Sequence, residues 1–261
     1  MKRILGIIII CVIIIITCII SIFRTLNSMH FKYIERGVKI VNSNIYRLNL
    51  AIEDENEQEI KKMIKTINLN KLPFFYERNV IEETKEQYMN ISPLSTACWM
   101  GNYKIVQMLI ENGADVNYRG NSYNYYPIEH ALIYYGMTED RYKIAKLLIE
   151  KGSKINVRSS NQNLLVSFLM ANYIDNDELN SKQARLCLKT IKLLINKYNY
   201  STDELNAILV ASVKSNNFIV AKYLIENSML YDNNQLKLKE LLLEIAKSNE
   251  NKSMIEYLQS K

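Results

Sequence analysis

Apolar residues recur along most of this chain in groups one helical turn apart. Ile105 and Val106 are followed by Leu109 and Ile110, an i, i+1, i+4, i+5 spacing that places four side chains on one face of a 3.6-residue period. Ahead of them, Leu94, Ala97 and Cys98 mark a shorter helix with a face of small and medium residues. Pro93 opens that helix, where its missing N–H is harmless, and Gly101-Asn102 breaks it. Gly113 follows the last apolar residue, where a helix end calls for a left-handed conformation. Asp115-Val116-Asn117 is expected to leave in extended form. Ser92 to Asn117 is thus predicted to form two short antiparallel helices joined by a tight turn.

The same pattern returns along the chain. Leu48, Ala51, Ile60, Met63 and Ile64 lie 46 residues before Leu94, Ala97, Val106, Leu109 and Ile110. The run Glu53 to Glu57 falls between those two helices and reads as a solvated turn, since no His or Cys accompanies its like charges. Pro127, Ile128 and Ala131 lie 34 residues after Pro93, Leu94 and Ala97, whereas Ile144, Leu148, Gly152 and Asn156 lie 39 after their counterparts. The mismatch predicts an insertion near Tyr135 to Asp140, at the turn between helices. Leu165, Phe168 and Leu169, then Ile191, Leu194 and Ile195, make a fourth unit with a polar insertion over Asn172 to Lys182. Its Asp175-Asn176-Asp177 lacks the glycine and closing Glu of a calcium loop and reads as a turn. A fifth unit runs from Leu205 to Asn227, preceded by Ser201 and Glu204 at capping-box spacing. A sixth has Leu242, Ile245 and Ala246, a break at Asn249 to Asn251, then Ile255 and Leu258. Asn68 to Ile91 is an excursion between the first and second units.

The best unit, Ser92-Pro93-Leu94-Ser95, Ala97-Cys98, Gly101-Asn102, Ile105 to Ile110 and Gly113 to Asn117, closely resembles an ankyrin repeat. The family pattern there is Thr-Pro-Leu-His, two alanines, Gly-His, an aliphatic helix and Gly-Ala-Asp-Val-Asn. Ser95 stands where the family has His, and Cys98 where it has Ala. Losing that His implies a softer repeat with the same fold. Pro93, Leu94, Ala97, Gly101, Leu109 and Gly113 define this repeat, and Pro127, Ala131, Leu148 and Gly152 define the next. The expected architecture is all-α: an ankyrin-type α-solenoid of about six helix-turn-helix repeats over residues 42–261, with degenerate repeats at both ends. One repeat cannot bury its apolar face alone, so stacking makes the core. Tetratricopeptide repeats have a similar period but lack the Gly-Ala-Asp-Val-Asn finger.

Residues 4–23 change the picture. They carry no charge, and twenty apolar residues at 1.5 Å each match a bilayer core of about 30 Å. A single N-terminal transmembrane anchor is expected over residues 1–23, followed by a basic, helical connector over residues 24–41. Bulky isoleucines run to the end of the span, unlike a cleaved signal peptide. Residues 1–40 hold six cations against one carboxylate, and so carry +5 of the chain's net +6. The remaining body is close to neutral, which argues against nucleic-acid binding and suits lipid headgroups beside the anchor. Lys/Arg counts on the two sides nearly balance, and the short basic start directly before the span leans the body to the exported face. The abundance of Ile, Asn, Lys and Tyr points to an AT-rich, bacterial genome.

No catalytic constellation accompanies the repeats. His30 falls in the connector, and His130 falls one residue after the family's His position, which Glu129 occupies here. Neither is placed for catalysis. Cys11 and Cys18 are in the apolar run, and Cys98 and Cys187 have no metal spacing. The expectation is no enzyme, no metal, no cofactor and no small-molecule substrate. Ankyrin resemblance implies protein binding through the hairpin fingers and the concave helix face. The first clear finger, Asn117 to Tyr126, carries Tyr118, Arg119, Tyr123 and Tyr125, residue types enriched at interfaces. A membrane-tethered binding module, including an inhibitor or immunity-type regulator of a partner enzyme, is the first reading. A subunit of an oligomeric membrane complex is the alternative, disfavoured because Thr17 and Ser21 are the span's only polar residues besides its two Cys.

Overall fold

A computed structural model describes residues 38–40, 43–76, 91–119, 125–133, 136–155, 164–227 and 235–260. The proposed anchor at residues 4–23, His30 and Tyr123 lie outside them. Among the described residues, no helix is long and apolar enough to cross a membrane.

Twelve helices are described, in six pairs. They are α1 (Ser43–Glu53), α2 (Glu57–Met63), α3 (Pro93–Met100), α4 (Tyr103–Glu111), α5 (Pro127–Leu132), α6 (Glu139–Glu150), α7 (Leu164–Ala171), α8 (Lys182–Lys197), α9 (Thr202–Lys214), α10 (Phe218–Glu226), α11 (Gln235–Ser248) and α12 (Lys252–Gln259). The helix pairs fall where the apolar pattern puts them, with the polar insertion of the fourth repeat between α7 and α8; of the insertion expected at Tyr135 to Asp140, Tyr135 lies outside the described residues and Glu139 and Asp140 begin α6. Two expectations are corrected. The end of the connector is not helical: strand β1 (Val38–Ile40) pairs antiparallel with β2 (Phe74–Tyr76), inside the excursion after the first repeat. Asp115 to Asn117 is also a turn rather than extended. The Asp115 carboxylate accepts from Asn117 N–H at 2.8 Å, and Tyr118 N–H reaches Asp115 C=O at 3.1 Å.

First helices stack on first helices and second on second, giving two layers. α1, α3 and α5 pack in sequence, as do α7, α9 and α11, while α4, α6, α8 and α10 run side by side in the other layer. Close packing in the first-helix layer is interrupted between α5 and α7, so the second-helix layer carries the array across that seam. There the Tyr198 hydroxyl donates to Ser153 C=O at 2.5 Å. One continuous apolar cluster extends from Leu48 to Leu258. Leu94, Ala97, Leu109, Ala131 and Leu148 are all within it, and Pro93 and Pro127 are buried at the first turns of their helices.

A turn must leave a helix without stranding its last carbonyls, and several turns here do so with left-handed residues. Gly101 (φ 76°) ends α3, and Gly113 (φ 90°) and Gly152 (φ 83°) follow α4 and α6. At the corresponding inter-helix turns of other repeats the left-handed residue is Glu55 (φ 52°), Asn216 (φ 59°) or Glu250 (φ 54°).

Asparagine side chains tie the repeats together. Asn70 donates to Gly113 C=O and accepts from Asp115 N–H; one repeat on, Asn117 donates to Gly152 C=O and accepts from Lys154 N–H. At the other end of the helices, in the second half of the array, fully buried Asn216 donates to Ile174 C=O and to the Asn176 side chain, both at 2.8 Å, and accepts from Asn251. Asn217 reaches Asn172 C=O, and Asn249 reaches Val213 C=O. The polar insertion of the fourth repeat is therefore docked on the turns of the fifth and sixth. A buried amide favours pairing, and Asn216 and Asn217 find their Nδ2 acceptors across a repeat boundary.

Candidate binding surface

The two layers have different free surfaces. The second-helix layer is finished with lysines lying over tyrosines of the neighbouring helix. Lys143 of α6 lies 5.9 Å from the Tyr103 ring of α4, and Lys189 of α8 lies 5.8 Å from Tyr142 of α6. Lys192 of α8 lies 4.5 Å from Tyr223 of α10, and Lys222 of α10 lies 5.7 Å from Tyr257 of α12. Such contacts hold long side chains along the stack and cover aromatic faces.

The first-helix layer carries exposed apolar groups instead. Met100 on α3 is 40% exposed, Met170 on α7 51%, Leu241 on α11 43%, and Tyr173, two residues past α7, 49%. Among the described residues these are the large exposed hydrophobics, and the second-helix layer contributes none. Single exposed apolar residues need no explanation, but these four share one layer, which makes it the candidate surface for a protein partner. Methionine adapts its shape to a facing surface, and tyrosine offers a large area with few rotatable bonds.

The described ends of the finger after α4, up to Arg119 and from Tyr125, lie beside the start of α5. Tyr118 is half-buried, and burial raises its hydroxyl pKa. The Arg119 guanidinium lies over the Tyr126 ring at 4.8 Å. Tyr125 meets His130 edge-on, with ring centroids 5.7 Å apart. Three of the four sequence-nominated residues are thus placed at the base of the finger, where Arg119 and Tyr125 also pack on the array. His130 is buried in α5, and desolvation lowers its pKa to about 4, so its imidazole is neutral at pH 7. Glu129, at the family's His position, is buried, and its carboxylate accepts from Tyr126 N–H at 2.5 Å, closing the start of α5. Ser95, at the same position one repeat earlier, has its N–H and hydroxyl turned to Ser92, at 3.2 and 3.1 Å. The lost His bond is replaced within the turn.

The chemistry of the described residues is structural. Cys98 and Cys187 are buried as free thiols. Burial pushes Cys187 up to about 12 and raises Cys98 further, so neither is a thiolate nucleophile at neutral pH. No group of His, Cys, Asp and Glu among the described residues is arranged to hold a metal ion.

Sequence reasoning missed the exposed apolar row. Its signal was present in apolar residues that overrun the core phase of the first helices: Trp99-Met100 after Cys98, Met170 after Leu169, and Leu241 beside Leu242 and Leu243. One member of each run has to face outward.

Residues 37–159 match the family model described as "Ankyrin repeats (3 copies)". That segment carries ankyrin repeats, and the helical array continues beyond it to residue 260. No curated protein matches the chain. Among solved structures it is similar to a chain of the complex titled "Bd0816 Predatory Endopeptidase from Bdellovibrio bacteriovorus in complex with immunity protein Bd3460", at 24% identity, over 82% of this chain and 97% of that one, with a TM-score of 0.50. At that identity the likeness carries the fold.

Proposed function

We propose that this chain is a membrane-tethered protein-binding module that grips its partner with the first-helix layer and the adjoining finger, and has no catalytic role of its own. The observation that carries this reading is the restriction of Met100, Met170, Tyr173 and Leu241 to one layer of a two-layer array. Residues 4–23 supply the tether, with the repeat body on the exported face. The test uses the full chain in its native membrane. Alkaline carbonate should leave it membrane-bound, and partners retained on the wild type should be lost when the four apolar residues are replaced by Ser. An unchanged partner set would move the binding surface elsewhere, and release by carbonate would remove the tether.

A second reading concerns the kind of partner. The structural neighbour comes from a complex of an endopeptidase with an immunity protein, which supports an enzyme as the partner and restraint as the outcome. Activity of the captured partner with and without the chain decides it: restraint predicts a fall in turnover, and mere scaffolding predicts none.

A further inference from the structure

The longest described helix, α8, differs from its neighbours in charge. Lys182, Arg185, Lys189 and Lys192 follow one another at i, i+3, i+7 and i+10, are all exposed, and share the helix with no acidic residue. The helices on either side are balanced. α6 pairs Lys143 with Asp140 and Lys146 with Glu150, and α10 pairs Lys222 with Glu226. Among the described residues, no ion pair is made by any cation of α8. The near-neutral balance read from the body's sequence therefore hides a basic row on the second-helix layer, on the side opposite the apolar row.

We infer that this row is a second docking surface, which takes an acidic helical segment of a partner protein. Four cations over ten residues make a line roughly 15 Å long at 1.5 Å per residue, the spacing a helix with carboxylates on one face can match. Two of the cations are already fixed. Lys189 and Lys192 lie over Tyr142 and Tyr223, so ordering them on binding costs less side-chain entropy. The width of the row selects against a broad anionic plane. Asp140, Glu150 and Glu226 on the flanking helices are each paired with a lysine of their own helix, so the uncompensated charge is confined to the width of one helix, which a single acidic helix covers and a broad anionic plane exceeds. Asp175, Asp177 and Glu178, exposed just before α8, limit the row at its Lys182 end. This surface is separate from the first-helix layer, so it stands or falls independently of the tethered-module reading.

The test measures fluorescence anisotropy of a labelled, helix-forming 20-residue peptide with four Glu at i, i+3, i+7 and i+10, titrated with the full chain in neutral detergent micelles. A peptide of the same composition with its Glu spread around the helix is the reference. The aligned peptide should bind at least tenfold tighter than the reference and weaken steeply with salt. Lys182→Glu with Arg185→Glu should remove at least tenfold of that affinity. Neither residue packs on an aromatic, and a carboxylate at the start of a helix suits the dipole, so the melting curve should hold. Lys146→Glu with Lys222→Glu, on the flanking helices, should leave binding within about twofold. Equal binding of the two peptides, or indifference to the α8 reversals, overturns the proposal. So does stronger reversal-sensitive binding to phosphatidylserine vesicles or to a 20-base-pair DNA duplex, which assigns the row to a lipid or nucleic-acid surface instead. The four Ser substitutions in the first-helix layer should leave this peptide's affinity unchanged.

Discussion

At the scale of single residues, backbone conformation and burial decide what each position tolerates. A Cβ at Gly113 would meet nothing within 4 Å, so any cost of a side chain there is backbone strain alone. Gly113→Val should lose about 1–3 kcal/mol in a thermal or denaturant melt. Gly101 is different, because an added Cβ would also lie 3.2 Å from Arg141 Nε. Glu55 holds a comparable left-handed conformation with a side chain, so Glu55→Gly relieves strain of about 1–2 kcal/mol while adding about 0.5–1 kcal/mol of chain entropy, and the melt should stay level or rise slightly. His130 gives the fold a pH dependence. Its ordinary pKa of 6.5 is lowered to about 4 by burial, so between those values the unfolded chain binds a proton that the folded chain does not. Stability should therefore be full above pH 6.5 and fall as pH drops towards 4, by an amount on the order of 3 kcal/mol. His130→Leu should flatten that part of the profile, as read by Tm against pH.

At the scale of helices and turns, two devices hold neighbouring repeats in register. The half-buried guanidinium of Arg141, on α6, donates to Trp99 C=O at 2.7 Å and Ala131 C=O at 2.9 Å, the last turns of α3 and α5. It satisfies carbonyls that two helix ends leave open, with a charge suited to a helix C-terminus. Arg141→Met keeps much of the stem's packing and removes the donors; a loss of about 1.5–3 kcal/mol is expected. Asn216 does the same for the second half of the array. Asn216→Gly retains the left-handed turn and deletes the bridges to Ile174, Asn176 and Asn251, so the melt should fall by about 2–3 kcal/mol. Asn216→Ala should fall further by the strain of a Cβ at φ 59°.

These devices mark the limit of what the residue pattern conveyed. Periodicity located every helix pair because burial of Leu94, Leu109 or Leu148 enforces one phase along the chain. It did not reveal that Glu55 and Glu250 replace glycine at left-handed positions, since a Glu carries no signal of its backbone conformation. Arg141 and Asn216 carry no periodic signal, because their partners include carbonyls 10 to 43 residues away, brought near by stacking. The candidate surface was legible in part. The finger's aromatic and guanidinium residues were visible, whereas the apolar row needed the helix phase to separate Met100 and Met170 from the core.

At the scale of the whole molecule, the two layers of the array present different surfaces. The family match ends at residue 159, and close packing of first helices is interrupted between α5 and α7, at the same boundary. The two halves are joined there by the second-helix layer and the Tyr198–Ser153 bond, and exposed apolar residues stand on both sides of that boundary, Met100 before it and Met170, Tyr173 and Leu241 after it. A partner spanning them touches both halves. The most direct measurement is site-specific photocrosslinking in the full chain expressed in cells, with a benzophenone side chain placed in turn at Met100, Met170 and, on the second-helix layer, Lys222. The account predicts one common protein adduct from Met100 and Met170 and none of that adduct from Lys222. The same adduct from Lys222 alone, with nothing from the two methionine sites, would contradict it.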